Sequence, residues 1–364
     1  MREAASEYME WAKTRSAAPF NLASSGVAPF PLADLGARFE DLELCGDSGY
    51  GYVPLLERLA RRAGVDIDRV VHATGTSMAN LLVLAAAASP GDQVLIEEPT
   101  YPLLVDAARW LRLDVRRFVR RADEGFRLDP HEVEKALTPR TRLIALTNLH
   151  NPSSALTPPE DMRAVGDAAR SIGARVFVDE VYLESLAIVD RPAASAASIG
   201  PEFVVTSSLT KVYGLSGLRC GWVIADPDLV HRMLRLNDLF GVIPAHAAER
   251  LSVVALDHLD RMSARSRRIL EANTARANAF LAARGDLACR PIDGGMTAFP
   301  RLLSGSVDTL CDRLRAGYDT TVVPGRFFSP DVAGHFRLAL GCAPETLTGG
   351  LDRLGRALDE ANRS

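Results

Sequence analysis

From about residue 48 to residue 245 the chain alternates between two apolar patterns. Short, nearly continuous apolar runs fall at 93–97, 114–119, 143–147, 175–179, 203–207 and 221–225. Before and between them, stretches near 53–63, 77–88, 100–111, 130–137 and 159–172 repeat their apolar residues at helical spacing. A strand buried on both sides has no polar face to show. Strand-length apolar runs that alternate with helices therefore predict a mainly parallel sheet covered on both faces. After Pro244 the pattern changes. A helical stretch rich in Ala and Arg, 247–283, leads to the Gly294-Gly295 turn, short strands near 297–301, 320–323 and 335–340, and a last helix over 344–361. This predicts a second, smaller α+β domain. Residues 1–36 read as an N-terminal arm: a short helix around Tyr8 and Trp11, then a turn-rich stretch with Pro19, Gly26, Pro29 and Pro31. The expected division is an arm at 1–36 that joins the small domain, a large domain at 37–246 and a small C-terminal domain at 247–364.

Bulk properties narrow the function class. A chain of 364 residues is near the size limit of a single core. With 47% hydrophobic and 24% charged residues the composition is that of an ordinary globular enzyme. The formal net charge of -4, with no long run of like charge, argues against a nucleic acid or an anionic membrane as partner. The arginine pairs Arg61-Arg62, Arg116-Arg117 and Arg120-Arg121 read as solvated faces. Cys45, Cys220, Cys289, Cys311 and Cys342 are isolated and odd in number, so neither a disulfide framework nor a zinc site is expected. The longest apolar run, 81–88, is too short to span a bilayer. With no apolar signal core at the N-terminus, a cytoplasmic protein is expected.

The chemistry concentrates on one lysine. The chain has only three, Lys13, Lys135 and Lys211, and otherwise uses arginine for positive charge. A primary amine can deprotonate and attack an aldehyde, which a guanidinium effectively cannot. Lys13 and Lys135 lie in polar surroundings. Lys211 lies between Ser208 and Arg219, both able to reach a phosphate.

Three further segments ask for the same kind of ligand. Ala73-Thr74-Gly75-Thr76-Ser77 opens a helix, where free backbone N–H groups and hydroxyls suit an anion, although simple helix capping explains the residues equally. Asn148-Leu149-His150-Asn151-Pro152-Ser153-Ser154 is a loop after a strand, where ligands bind in parallel sheets. Val176-Phe177-Val178-Asp179-Glu180-Val181-Tyr182 ends an apolar strand on Asp179, a carboxylate that needs a cationic partner if buried; a protonated ring nitrogen would serve.

Together, in this order and at these spacings, the segments resemble the class I/II aminotransferases, the fold type I family of pyridoxal 5′-phosphate (PLP) enzymes, over about Asn21 to Leu354. The resemblance implies an α/β fold. A large domain, with a mainly parallel seven-stranded sheet flanked by helices, binds the cofactor beside a smaller α+β domain. By motif, Lys211 resembles the Schiff-base lysine and Asp179 the partner of the cofactor's ring nitrogen. Tyr182 and Asn151 resemble the donors to its phenolic oxygen. Gly75, Thr76, Ser77, Ser208 and Arg219 resemble the phosphate cup, and Tyr101 the aromatic stacked on the ring. Arg337 falls on the arginine that grips the substrate α-carboxylate, with Asn151 and the backbone of Gly26 beside it.

The activity implied is transfer of an amino group between an L-amino acid and a 2-keto acid, with Lys211, Asp179 and Tyr182 as catalytic residues. The alternative on the same fold is a lyase or cyclase performing β-elimination or replacement, because the first steps are shared. The resemblance also implies a homodimer with shared active sites. One departure stands out. Many relatives carry a tyrosine at the place of Gly46 that reaches the neighbouring subunit's phosphate; Tyr50 and Tyr52 are the candidates to replace it. His246 reads as a core or helix-start residue. Tyr8, Trp11 and Phe30 either wall the pocket or pack the arm.

Overall fold

The computed structural model describes residues 5–361. Its centre is a sheet of seven strands: β1 (Val70–Thr74), β2 (Gln93–Glu98), β3 (Asp114–Val119), β4 (Thr141–Thr147), β5 (Arg175–Asp179), β6 (Phe203–Ser208) and β7 (Cys220–Ile224). Their spatial order is β1-β7-β6-β5-β4-β2-β3. All neighbours are parallel except β7, which runs antiparallel to both β1 and β6. A parallel return usually needs a crossover helix. The 209–219 segment holds only the 3₁₀ turn Ser216–Leu218, so the chain folds straight back.

Strands β6 and β7 are buried along their whole length. Burial alternates by face, as the pleat demands: Val176 and Val178 of β5 join one hydrophobic cluster, and Phe177 joins the other. Each such side chain taken out of water contributes roughly 1.5–3 kcal/mol. Strand β1 was outside the predicted runs. Its apolar signal is short and broken by His72, and pairing with β7 makes it a strand.

The predicted helix over 247–283 is two helices, His246–Asp257 and Leu259–Ala282, separated at His258. The first packs on the helix Val53–Ala63 and the turn Phe39–Leu42; the second packs on the C-terminal helix Pro344–Ala361. Helices Pro227–Asn237 and Val307–Gly317 complete the layers and were not anticipated. In the C-terminal part, Phe336–Ala339 pairs antiparallel with Thr297–Ala298 and with Val323–Pro324. The N-terminal segment adds Phe20 and Asn21 in parallel register with Thr320 and Thr321. Its helix Glu7–Thr14 is capped by Ser6.

Arg120 corrects the reading of the arginine pairs as solvated. It is 1% exposed and its Nε lies 2.8 Å from Glu97 Oε2, itself fully buried. Arg117 is half-buried and donates to the carbonyls of Ile96 and Glu97. A sequence shows that charges adjoin, but not which sheet face each one takes.

Candidate active site

The anion end is built where β1 turns into the helix Gly75–Ala87. Gly75 adopts φ +76°, and a Cβ there would stand 2.2 Å from Arg219 Nη2, so only glycine lets the guanidinium lie against this turn. Arg219 itself is left-handed, with φ 50°, and its carbonyl accepts from Gly75 N at 2.6 Å. Ser208 is buried at the end of β6. The hydroxyls of Thr76 and Thr210 are buried without a hydrogen-bond partner. Buried hydroxyls left unpaired are costly. Here they accompany an arginine and a helix N-terminus, an arrangement that a phosphate group satisfies.

Asp179 ends β5 in the interior. Asn80 donates to its Oδ2 at 2.8 Å and Val181 N to its Oδ1 at 3.1 Å. The Asn80 amide is oriented in turn by Thr206, whose hydroxyl donates to Asn80 Oδ1 at 2.7 Å. Burial raises the Asp179 carboxyl to about 6, against the opposing pull of these hydrogen bonds and of Lys211. A cation placed against it would complete the site.

Lys211 lies between these two ends and the C-terminal part. Its Nζ donates to Ser25 Oγ at 3.2 Å, and its carbonyl accepts from Val27 N at 2.8 Å, which brings Gly26 alongside. Burial, then Arg337 and Arg219, lowers its amine to about 8. A minor but usable uncharged fraction therefore exists near neutral pH, as nucleophilic chemistry requires. Ser25 also adjoins the buried Tyr182 phenol, which burial pushes up to about 12. Tyr101, raised by burial, adjoins Ser77 and lies near Tyr182 and Asp179.

The far end centres on Arg337, 1% exposed on the strand Phe336–Ala339. Its Nη1 donates to Asn151 Oδ1 at 2.9 Å; its Nη2 donates to Tyr8 OH and to the Ala23 carbonyl, each at 3.1 Å. Its Nε is buried without a partner. The Arg337 bond uses the Asn151 carbonyl and leaves its amide NH₂ free to donate elsewhere. Asn151 is also fixed from behind: its N–H donates to Thr147 Oγ1 at 2.9 Å, and that hydroxyl donates to Glu97 Oε1 at 2.6 Å. A buried chain of contacts thus runs Arg120–Glu97–Thr147–Asn151–Arg337.

Gly75, Thr76, Ser77, Tyr101, Asn151, Asp179, Tyr182, Ser208, Lys211, Arg219, Gly26 and Arg337 therefore line one connected site. Tyr8 joins it. Trp11 instead packs on Phe327 at 5.4 Å between ring centroids, and Phe30 lies under Arg265. The His246 ring takes the place beside Gly46: a Cβ there would stand 2.1 Å from His246 Nε2, so a side chain would require the ring to move. His246 opens its helix and is buried beside Ser48 and Glu249, and Tyr52 packs edge-on against it. Tyr50 is exposed and bonded to Asp238 and Arg235. Sequence reasoning missed Ser25, Asn80, Thr147 and Thr210. Asn80 and Thr147 are small polar residues in apolar elements, and Ser25 and Thr210 lie in loops with no signal of their own.

Residues 39–354 match the family model of aminotransferase class I and II. The chain is 30% identical to capreomycidine synthase of Streptomyces vinaceus, over 96% of this chain and 92% of that one. It is 31% identical to the arginine–pyruvate transaminase of Pseudomonas aeruginosa, over 80% of this chain and 76% of that one. It superposes on the PLP-dependent cyclase OrfR with a TM-score of 0.88 at 27% identity, covering 99% of this chain and 98% of that one.

Proposed function

This chain belongs to the PLP-dependent aminotransferase class I and II family, and from that premise we propose that it moves an amino group between an L-amino acid and a 2-keto acid, with PLP held on Lys211. PLP, when bound, supplies an aldehyde and a ring that withdraws electrons from the reacting carbon. Arg219, Ser208 and the Gly75-Thr76-Ser77 turn hold the phosphate. With PLP bound, Asp179 would serve as the anion for its ring nitrogen, Tyr101 would cover its ring, and Tyr182 and the Asn151 amide would be the donors for its phenolic oxygen. Arg337 takes the substrate carboxylate. The Lys211 amine would serve as the base that takes the proton from the substrate α-carbon.

The observation that carries this reading is the position of Lys211. Its depressed amine stands among a buried carboxylate, an anion cup with unpaired hydroxyls, and a buried arginine with a spare donor. A homodimer is part of the same proposal, and exposed apolar residues support it. Phe39, Leu44, Leu239 and Val242 are exposed at 86%, 78%, 77% and 65%, and Tyr50 hydrogen-bonds Asp238 and Arg235 between their two segments. The arm, the large domain at 37–246 and the small domain at 247–364 remain the working division.

The second reading is cyclisation or elimination. It is favoured by the similarity to capreomycidine synthase along nearly the whole chain and to a PLP-dependent cyclase. An amino-donor panel on the purified holoenzyme separates the two, with products assayed with and without a 2-keto acid. Transamination yields a new amino acid only when the keto acid is present. Formation of more than one equivalent of product per active site in its absence overturns the leading reading in favour of the second.

A further inference from the structure

His150 lies one residue before Asn151 and has no role in the site described above. It is fully buried and uses both ring nitrogens: Nε2 stands 2.9 Å from the Pro99 carbonyl and Nδ1 stands 2.6 Å from Ser153 Oγ. A carbonyl can only accept, so Nε2 carries the proton and donates it. Nδ1 is then the acceptor and takes the Ser153 hydroxyl proton, while the Ser153 oxygen accepts from Ala155 N at 3.2 Å. One neutral tautomer thus satisfies every group. Burial, then the nearby Arg120 guanidinium, holds the ring well below its ordinary 6.5, so it stays neutral near neutral pH.

The two bonds join different things. Ser153 belongs to the same loop as His150. That loop is already closed by His150 N on the Ala155 carbonyl at 2.9 Å and by Ser154 N on the His150 carbonyl at 2.7 Å. Pro99 belongs to the turn that leads into Tyr101, 51 positions from His150. Among the described residues this is the one direct hydrogen bond between residues 98–101 and the loop 148–154. The other route is indirect, through Glu97 Oε1, which accepts from Thr100 and from Thr147. Phe126 packs beside the imidazole, with ring centroids 5.8 Å apart.

We propose that His150 is a positioning residue for the cofactor: through Pro99 it fixes the spacing between Tyr101, which would cover the PLP ring, and Asn151, whose amide would meet the phenolic oxygen at the ring's edge. This rests on the PLP site proposed above. A stacked ring and a donor at its edge must agree in height, because a misaligned hydrogen bond weakens steeply. The bond from His150 to the Pro99 carbonyl ties the two heights together.

The test follows the absorbance of bound PLP against pH in three holoenzyme variants. A donor on the phenolic oxygen favours its anionic form, so a weakened donor moves the midpoint up. His150→Leu removes both bonds, and the midpoint is expected to rise by about half to one pH unit, the equivalent of one hydrogen bond. KM for the amino acid should rise about 3- to 10-fold with it, because Asn151 also orients Arg337. His150→Gln places an amide NH₂ where Nε2 stood, keeps the bond to Pro99, and should hold both quantities near wild type. His150→Asn reaches only Ser153 and should behave as His150→Leu does. Thermal unfolding is followed in all three. A midpoint unmoved in His150→Leu while the melting temperature falls makes His150 a packing residue and overturns the proposal. Rescue by Asn and not by Gln, or a shift in Gln as large as in Leu, overturns it as well. Asn151→Ala separates this inference from the site it rests on. If that variant leaves the midpoint unmoved, the assignment of Asn151 to the phenolic oxygen fails. If it raises the midpoint while His150→Leu does not, only the role of His150 fails.

Discussion

The two ends of the site are built differently. The anion end comes from neighbouring strand ends of one sheet: the turn after β1, the end of β6 and the approach to β7, fixed by backbone bonds and a glycine with no room for a side chain beside Arg219. The carboxylate end is assembled from four segments far apart in sequence: Tyr8, Ala23, Asn151 and Arg337. The first is rigid because the main sheet is rigid. The second depends on the N-terminal helix, a loop and a C-terminal strand staying together. A cofactor that remains through many turnovers suits the first; a substrate that must enter and leave suits the second.

Lys211 joins the two ends, so its loss tests whether they act together. Lys211→Ala is expected to lower turnover by about 10⁴-fold, the upper range for a positioned proton-transfer group. It should also abolish the borohydride-stable attachment of PLP, read by mass spectrometry. Retained attachment would move the chemistry elsewhere.

Glu97 tests whether the carboxylate end is braced from behind. Glu97→Gln breaks a buried ion pair and is expected to cost roughly 3–5 kcal/mol of stability by denaturant unfolding. Through Thr147 and Asn151 it should raise KM for the amino acid more than it weakens PLP binding. An equal effect on both would show that the brace serves the whole fold.

Arg337→Ala and Arg219→Ala form a matched pair. Loss of a charged hydrogen-bonding group corresponds to roughly a 10- to 100-fold change. For Arg337→Ala it should appear in the amino-acid KM, with PLP affinity little changed. For Arg219→Ala it should appear in the PLP dissociation constant, followed by fluorescence. If each variant moved both constants equally, the separation of the two ends would be lost.

The smallest effect concerns Asp179 in the PLP-free protein. Its folded-state pKa is raised to about 6, above the ordinary 3.8. Folding therefore favours the protonated carboxyl. Its contribution is fully present below about pH 4 and is lost as pH rises through about 6. The difference in unfolding free energy between wild type and Asp179→Asn should fall by about 1–3 kcal/mol across that window. A difference flat with pH would place the Asp179 carboxylate in contact with solvent or a cation.

Much of this was legible in the chain. The apolar runs gave six of the seven strands, and the motif residues fell where the strands end. What escaped had physical reasons. β1 is a strand because β7 pairs with it. Arg120 looks like a surface charge until Glu97 is found beneath it. Asn80 sits in an Ala- and Leu-rich helix with nothing to announce that its amide holds Asp179.

By itself the sequence determined the alternation of strand and helix, the lysine suited to imine chemistry, and the order of the anion-binding turns. These rest on periodicity and on chemistry carried by neighbouring residues. Only the tertiary structure decided that Tyr8 meets Arg337 across 329 positions, that His246 fills the space beside Gly46, and that Ser25 adjoins both Lys211 and Tyr182. Those contacts join segments with no local coupling. They form because burying the apolar faces of the sheet, the arm and the C-terminal strands brings these side chains together.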